Sequence, residues 1–192
     1  IRDASSEALL EERVQTLHEK TILDPLTGVA NRAEFDRGLS RSVRKHLKEL
    51  HPCSLIICDI DNFKKVNDVH GHQAGDQALI SFAALLQRTS RQGDLVGRYG
   101  GEEFVIIMPR ITCHEAIPVL ERMRRAVEVK KLKRKSTNES LGNVTISFGV
   151  TELKADDSSA TIIRRADQNL YSAKRNGRNQ VVADRPERTQ AA

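Results

Sequence analysis

Apolar residues recur along this chain in two rhythms. In some stretches they return every three to four positions, and elsewhere they form short unbroken runs. Phe35, Leu39, Val43 and Leu47 fall at four-residue intervals within 33–50, which predicts one apolar stripe of a helix. Arg41, Arg44, Lys45 and Lys48 then read as its solvated face. The same periodicity turns Leu79, Phe82, Leu85 and Leu86 inward on a helix entered through GHQAGDQAL (71–79). It does so again for Ile162, Ile163, Ala166 and Leu170 on a helix over 158–174. Thr112 with Glu115 three residues on has the capping-box spacing and opens a helix to about Val129. Residues 63–69 read as a short helical turn. Residues 3–22 form a charged helix in which Leu10, Val14, Leu17 and Thr21 follow a 4-3-4 spacing. That thin seam either packs on its own domain or pairs two chains as a short coiled coil.

The unbroken runs predict strands. Residues 53–58 (CSLIIC) are almost wholly apolar, as expected of a central strand covered on both faces, and end in Asp59, Ile60 and Asp61. Residues 95–99 and 103–108 flank Gly100 and Gly101 as the arms of a hairpin. Paired glycines suit a two-residue turn with positive φ. NVTISFGVT (143–151) alternates as a strand, and 179–182 reads as a short edge strand after Gly177. LDPLTGVANR (23–32) is a turn-rich junction with Asn31 as an N-cap. Strands and helices alternate unevenly around a hairpin, so the expected fold is α+β: a mixed, mostly antiparallel sheet with flanking helices. The expected organisation is a linker helix over 1–22, one domain over 23–183 and a disordered polar tail over 184–192.

Composition narrows the field. With 39% hydrophobic and 30% charged residues the chain is an ordinary globular sequence. No apolar run approaches the roughly 20 residues that span a bilayer, and the charged N-terminus lacks a signal-peptide core. The expected compartment is the cytoplasm. Ile1 in place of methionine points to a longer protein, which could carry an upstream sensor or membrane anchor. Cys53, Cys58 and Cys113 lack CxxC spacing, so neither a disulfide framework nor a zinc site is expected. The net charge of +5 invites a nucleic-acid reading, but 4% aromatic content and no tryptophan leave no base-stacking surface. A small polyphosphate fits the positive balance equally well.

The carboxylates decide between these. Asp59 and Asp61 end a buried strand, where uncompensated charge is costly. In a mixed sheet that strand end can lie beside Glu102 and Glu103 of RYGGEEF (98–104). Taken alone, the latter string would be a surface hairpin with two solvated glutamates. Together the acidic residues make a hard, oxygen-only site that suits magnesium or manganese better than zinc. Magnesium is typically completed by substrate phosphates, which suggests a nucleoside triphosphate. Lys64, Lys174 and Arg178 are candidate phosphate partners, and Asn67 and Asp76 could read a purine edge. No GxxxxGK[ST] string is present, so a P-loop is excluded.

RYGGEEF, CDIDNFKKVND, GHQAGDQAL, DPLTGVANR, ISFGVT and ADQNLYSAKRNGRN, spread over 24–182, together resemble the GGDEF-domain diguanylate cyclases in a GGEEF variant. The resemblance implies a ferredoxin-type fold akin to the polymerase palm and the class III nucleotide cyclases. It also implies condensation of two GTP into cyclic di-GMP and two pyrophosphates. By the same resemblance Asp59, Glu102 and the carbonyl of Ile60 hold magnesium, with Glu103 close by. Glu102 accepts the 3′-hydroxyl proton and Lys64 stabilises phosphate charge. Asn67, His72 and Asp76 contact guanine and ribose, Phe63 offers its backbone to the phosphates, and Lys174 with Arg178 binds the triphosphate. RQGD matches an inhibitory RxxD motif, in which Arg91 and Asp94, helped by Arg98 or Arg122, would bind product. An ordinary turn ion pair is the other reading of that motif. Two identical phosphodiester bonds require two facing sites, hence a homodimer. The alternative is a non-catalytic module that binds GTP or cyclic di-GMP only to signal.

Overall fold

The computed structural model describes residues 4–133 and 135–184. Residues 1–3 of the linker helix and 185–192 of the tail lie outside them. Eleven elements follow one another: α1 (Ala4–Ile22), α2 (Arg32–Glu49), β1 (Cys53–Ile60), α3 (Phe63–His70), α4 (His72–Thr89), β2 (Leu95–Arg98), β3 (Glu103–Pro109), α5 (Cys113–Val129), β4 (Ile146–Glu152), α6 (Ser159–Arg175) and β5 (Val181–Ala183). The sheet order is β2-β3-β1-β4-β5. Every pairing is antiparallel except β4 with β5. The unbroken apolar run is therefore the central strand, buried along its whole length.

Alternation along β1 divides the core. Leu55 and Ile57 face Phe35, Leu39 and Val43 of α2 and Ile162, Ala166 and Leu170 of α6. Ile56, Cys58 and Ile60 face Leu79, Phe82 and Leu86 of α4 and Leu120 and Met123 of α5. Helices thus cover both faces of a mostly antiparallel sheet, as the pattern predicted. Asn31 caps α2 by accepting from the Glu34 amide, and Thr112 and Glu115 complete their capping box. Cys58 is a fully buried small hydrophobe.

Several expectations are corrected. Leu47 is half exposed, so the buried stripe of α2 ends at Val43. Gly100 and Gly101 do not take positive φ. The Tyr99 amide donates to the Glu103 carbonyl, so the loop is longer than two residues and turns without left-handed positions. β4 begins at Ile146 and β5 at Val181, later than expected, and Thr145 and Asn179 on their flanks bond to Asp61. Asp184, placed in the tail, is held by Arg165 at 2.7 Å and by Asn169 at 2.8 Å. The seam of α1 does not pack on its own domain: Leu10, Val14 and Leu17 are 63%, 59% and 63% exposed.

Candidate active site

The strand pairing delivers the carboxylates to one edge. Asp59 stands opposite Glu103 of β3 on one side and Ser147 of β4 on the other. Its carboxylate is almost fully buried, and its Oδ2 accepts from Lys174 Nζ of α6 at 2.5 Å. Even so, burial pushes the Asp59 pKa up to about 6, and the charges of Glu102 and Glu103 add to it against the pull of Lys174. Glu103 is raised as well, by burial, Asp167 and Glu102, with Lys174 and Arg32 opposing. The edge therefore holds more negative charge than its one close ammonium compensates.

Lys174 reaches Asp59 because α6 lies directly on β4. A Cβ on Gly149 would stand 2.3 Å from both the Ala166 carbonyl oxygen and the Leu170 nitrogen. Lys174 is one turn beyond Leu170, so the missing side chain at Gly149 sets where its amine falls. Arg178 is not one helical turn from Lys174 as its spacing suggested, since α6 ends at Arg175. It is exposed on a turn in which Arg178 (φ 65) and Asn179 (φ 47) are both left-handed.

After β1 the chain reverses at Asn62 into α3. The Asn62 side chain makes no capping bond and the Lys65 amide donates back to the Asn62 carbonyl at 2.9 Å, which leaves the first amides, those of Phe63 and Lys64, as the donors for a ligand. Lys64 is exposed on the same turn. Gly71 (φ 83) joins α3 to α4. Across this joint Asn67 lies against Gly75, where a Cβ would meet Asn67 Oδ1 at 1.9 Å. Asp76 and His72 are exposed on the first two turns of α4. Asn67 thereby lies beside the turn of α4 that carries Asp76.

The glycine turn is pinned from outside. Arg98 donates to the Gly101 carbonyl at 2.8 Å and pairs with Asp24 at 3.2 Å. Asp24 also accepts from the Thr27 amide and hydroxyl; these bonds and Arg98 outweigh burial and hold its pKa below the ordinary value. DPLTG is thus the clamp on the GGEEF turn. A Cβ at Gly101 would meet nothing within 4 Å, so the space beside the turn is open.

The RxxD residues lie at the other end of the hairpin. Arg91 Nη2 pairs with Asp94 Oδ1 at 3.0 Å and donates to the Pro109 carbonyl at 3.1 Å, so in this structure they form a turn ion pair. Within one chain Arg98 does not join them, because the extended β2 carries it to the GGEEF end. Arg122 is exposed on α5. Asp24, Asp61, Gly75, Gly149 and Asn179 were missed as site-builders. The family strings contain all five, but their roles depend on neighbours distant in sequence.

The diguanylate cyclase GGDEF-domain family model matches residues 21–180. This chain belongs to the GGDEF family. Among relatives, diguanylate cyclase VdcA of Vibrio cholerae is 38% identical over 173 residues, covering 90% of this chain and 50% of that protein. The response regulator PleD of Caulobacter vibrioides is 41% identical over 165 residues, covering 85% and 36%. The crystal structure of the coiled coil and GGDEF domain of DgcB from Caulobacter crescentus, in complex with c-di-GMP, superposes with a TM-score of 0.89 at 37% identity, covering 94% of each chain. This GGDEF chain spans about half or less of the length of those two relatives. No helix among its described residues is long and apolar enough to cross a membrane.

Proposed function

We propose that the chain is a diguanylate cyclase, joining two GTP into cyclic di-GMP with release of two pyrophosphates, as a magnesium-dependent homodimer. The observation that carries this reading is the buried Asp59 set opposite Glu103, with excess negative charge around it and Lys174 standing in as its cation. Among the described residues no three acidic, imidazole or thiol groups are gathered into a complete metal site. A partial set of oxygen donors fits magnesium, which keeps waters and takes substrate phosphates. Asp59, Glu102 and the carbonyl of Ile60 would hold the ion, with manganese as the other candidate. When bound, it lowers the 3′-hydroxyl pKa and neutralises charge on the phosphates.

The protein's own groups do the rest. The first amides of α3 and Lys64 receive phosphate oxygens, and Lys174, released from Asp59, turns with Arg178 to the triphosphate. Asn67 and Asp76 read the guanine edge, and His72 lies beside them. Glu102 takes the proton of the 3′-oxygen as that oxygen bonds to the α-phosphorus of the partner's nucleotide and pyrophosphate leaves. Each protomer presents one GTP, so orientation across the dimer supplies much of the acceleration. Arg91 and Asp94, with Arg122 and a contribution from Arg98 of a second copy, would bind product and restrain turnover. A cytoplasmic location follows from the GTP substrate, and an upstream sensor domain would supply control. The relatives named as diguanylate cyclases, and the cyclic di-GMP seen with DgcB, support this assignment. Incubation with GTP and magnesium should give cyclic di-GMP, and Glu102→Ala should lower the rate at least a hundredfold with an unchanged melting temperature. A verified dimer that makes no product would overturn the reading.

A further inference from the structure

Arg178, the exposed partner of the triphosphate in the reading above, lies just past the end of α6, where its amide donates to the Ala173 carbonyl at 2.9 Å. It occupies the left-handed region, which a long side chain enters only when its surroundings enforce it. The bond to Ala173 holds the side of the turn nearer the helix, and the next residue holds the other. The Asn179 amide donates to buried Asp61 Oδ2 at 3.0 Å and approaches Ser147 Oγ at 3.1 Å. Asp61 is itself filled by the hydroxyls of Thr145 at 2.8 Å and Ser147 at 2.7 Å. On the other side the Asn179 side chain is clasped by α5. Arg124 Nη1 donates to Asn179 Oδ1 at 2.8 Å, and Asn179 Nδ2 donates to Glu128 Oε1 at 2.9 Å. Arg124, 13% exposed, is oriented by Glu121 and Glu128, each at 3.0 Å.

We propose that Asn179 is a positioning residue, clasped by Asp61 and by the Arg124–Glu128 pair, that fixes the turn presenting Arg178 to the nucleotide triphosphate. Arg124 then acts on the triphosphate site from a helix that makes no contact with the triphosphate in this reading. Asn179 suits the place for two reasons. Asparagine tolerates the left-handed region better than other side chains, and its amide offers a donor and an acceptor to the two charged partners together. The inference rests on the triphosphate role of Arg178, and the two can be separated by experiment.

The probes are guanosine α,β-methylenetriphosphate, which cannot lose pyrophosphate, and GMP, which lacks the phosphates Arg178 would meet. Calorimetry with magnesium should show Asn179→Ala and Arg124→Ala weakening the triphosphate analogue about tenfold while leaving GMP unchanged. With GTP, KM should rise and kcat hold, because Asp59 and Glu102 are untouched. Loss of general stability would weaken both ligands alike and overturn the proposal. Arg178→Ala is the reference. If it leaves the analogue's affinity unchanged, the triphosphate reading fails; if it weakens binding while Asn179→Ala and Arg124→Ala do not, the positioning role fails. A further pair covers the event that Arg124→Ala does not fold. Asn179→Asp alone sets two carboxylates together and should weaken the analogue, whereas Asn179→Asp with Glu128→Gln exchanges carboxylate and amide across the same hydrogen bond. Recovery of affinity in the double variant supports the clasp, and absence of recovery rejects it.

Discussion

Asp59 shows how one residue can be costly to the fold and necessary to the site. Its pKa of about 6 lies above the ordinary 3.8, so the folded state takes up a proton more readily than the unfolded chain. The folded state is therefore penalised wherever the unfolded carboxylate is ionised and the buried one must be too. That penalty is complete above pH 6 or so, shrinks as pH falls through that value, and vanishes near pH 4. In metal-free protein, Asp59→Asn should raise stability at pH 8 by about 2 kcal/mol, since Lys174 is exposed enough to hydrate once released. The gain should be absent at pH 4. Urea unfolding at both pH values in a chelator checks this, and equal stability of variant and wild type at pH 8 would reject it. Magnesium should stabilise wild type and leave the variant unmoved, because ligand binding stabilises only the state that binds it.

Two glycines test how the elements are set against one another. At Gly149 an added Cβ would strike the backbone of α6, which can yield only by moving. Gly149→Ala should cost about 2 kcal/mol in unfolding free energy and reduce activity more than tenfold by displacing Lys174. At Gly75 the obstruction is the end of the Asn67 side chain, which can rotate away. Gly75→Ala should thus cost under about 1 kcal/mol yet raise KM for GTP several-fold, as Asn67 leaves its place beside the turn that carries Asp76. Chemical denaturation with steady-state kinetics separates the two cases; matched stability losses would contradict this account. The same glycines show what the chain could and could not disclose. β1, the hairpin and the helix stripes were legible because their periodicity is local, and Asp59 with GGEEF was legible because both close buried strands. The close approaches were not, because a missing Cβ has meaning only beside the neighbour it admits. Asp61 read only as a second costly carboxylate at the end of a buried strand, and the neighbours that take up its oxygens, Thr145, Ser147 and Asn179, are distant in sequence. Gly100 and Gly101 misled about backbone angle because the turn runs longer than two residues, leaving their small size as the property that matters.

At the scale of the whole molecule the proposed reaction needs two copies, and α1 is the element that could gather them. Leu10, Val14 and Leu17 form a stripe that stands largely exposed among the described residues. The end of α1 is nonetheless fixed to the catalytic domain. The Ile22 carbonyl accepts from the Asn31 amide, and the Thr21 carbonyl accepts from Asn31 Nδ2 at 3.0 Å, at the residue that caps α2. Pairing of two such helices would thereby bring two catalytic domains into a restricted relative placement. The seam is only about two heptads long, so its association is weak and governed by concentration. Product formed per chain should accordingly rise with protein concentration and level off once dimer predominates. Leu10→Asp with Leu17→Asp should move that rise to at least tenfold higher concentration while leaving the melting temperature of the domain unchanged, because neither side chain is in its core. Sedimentation should show the matching shift in dimer fraction. If the double variant dimerises and turns over as wild type does, the two sites are brought together by another surface.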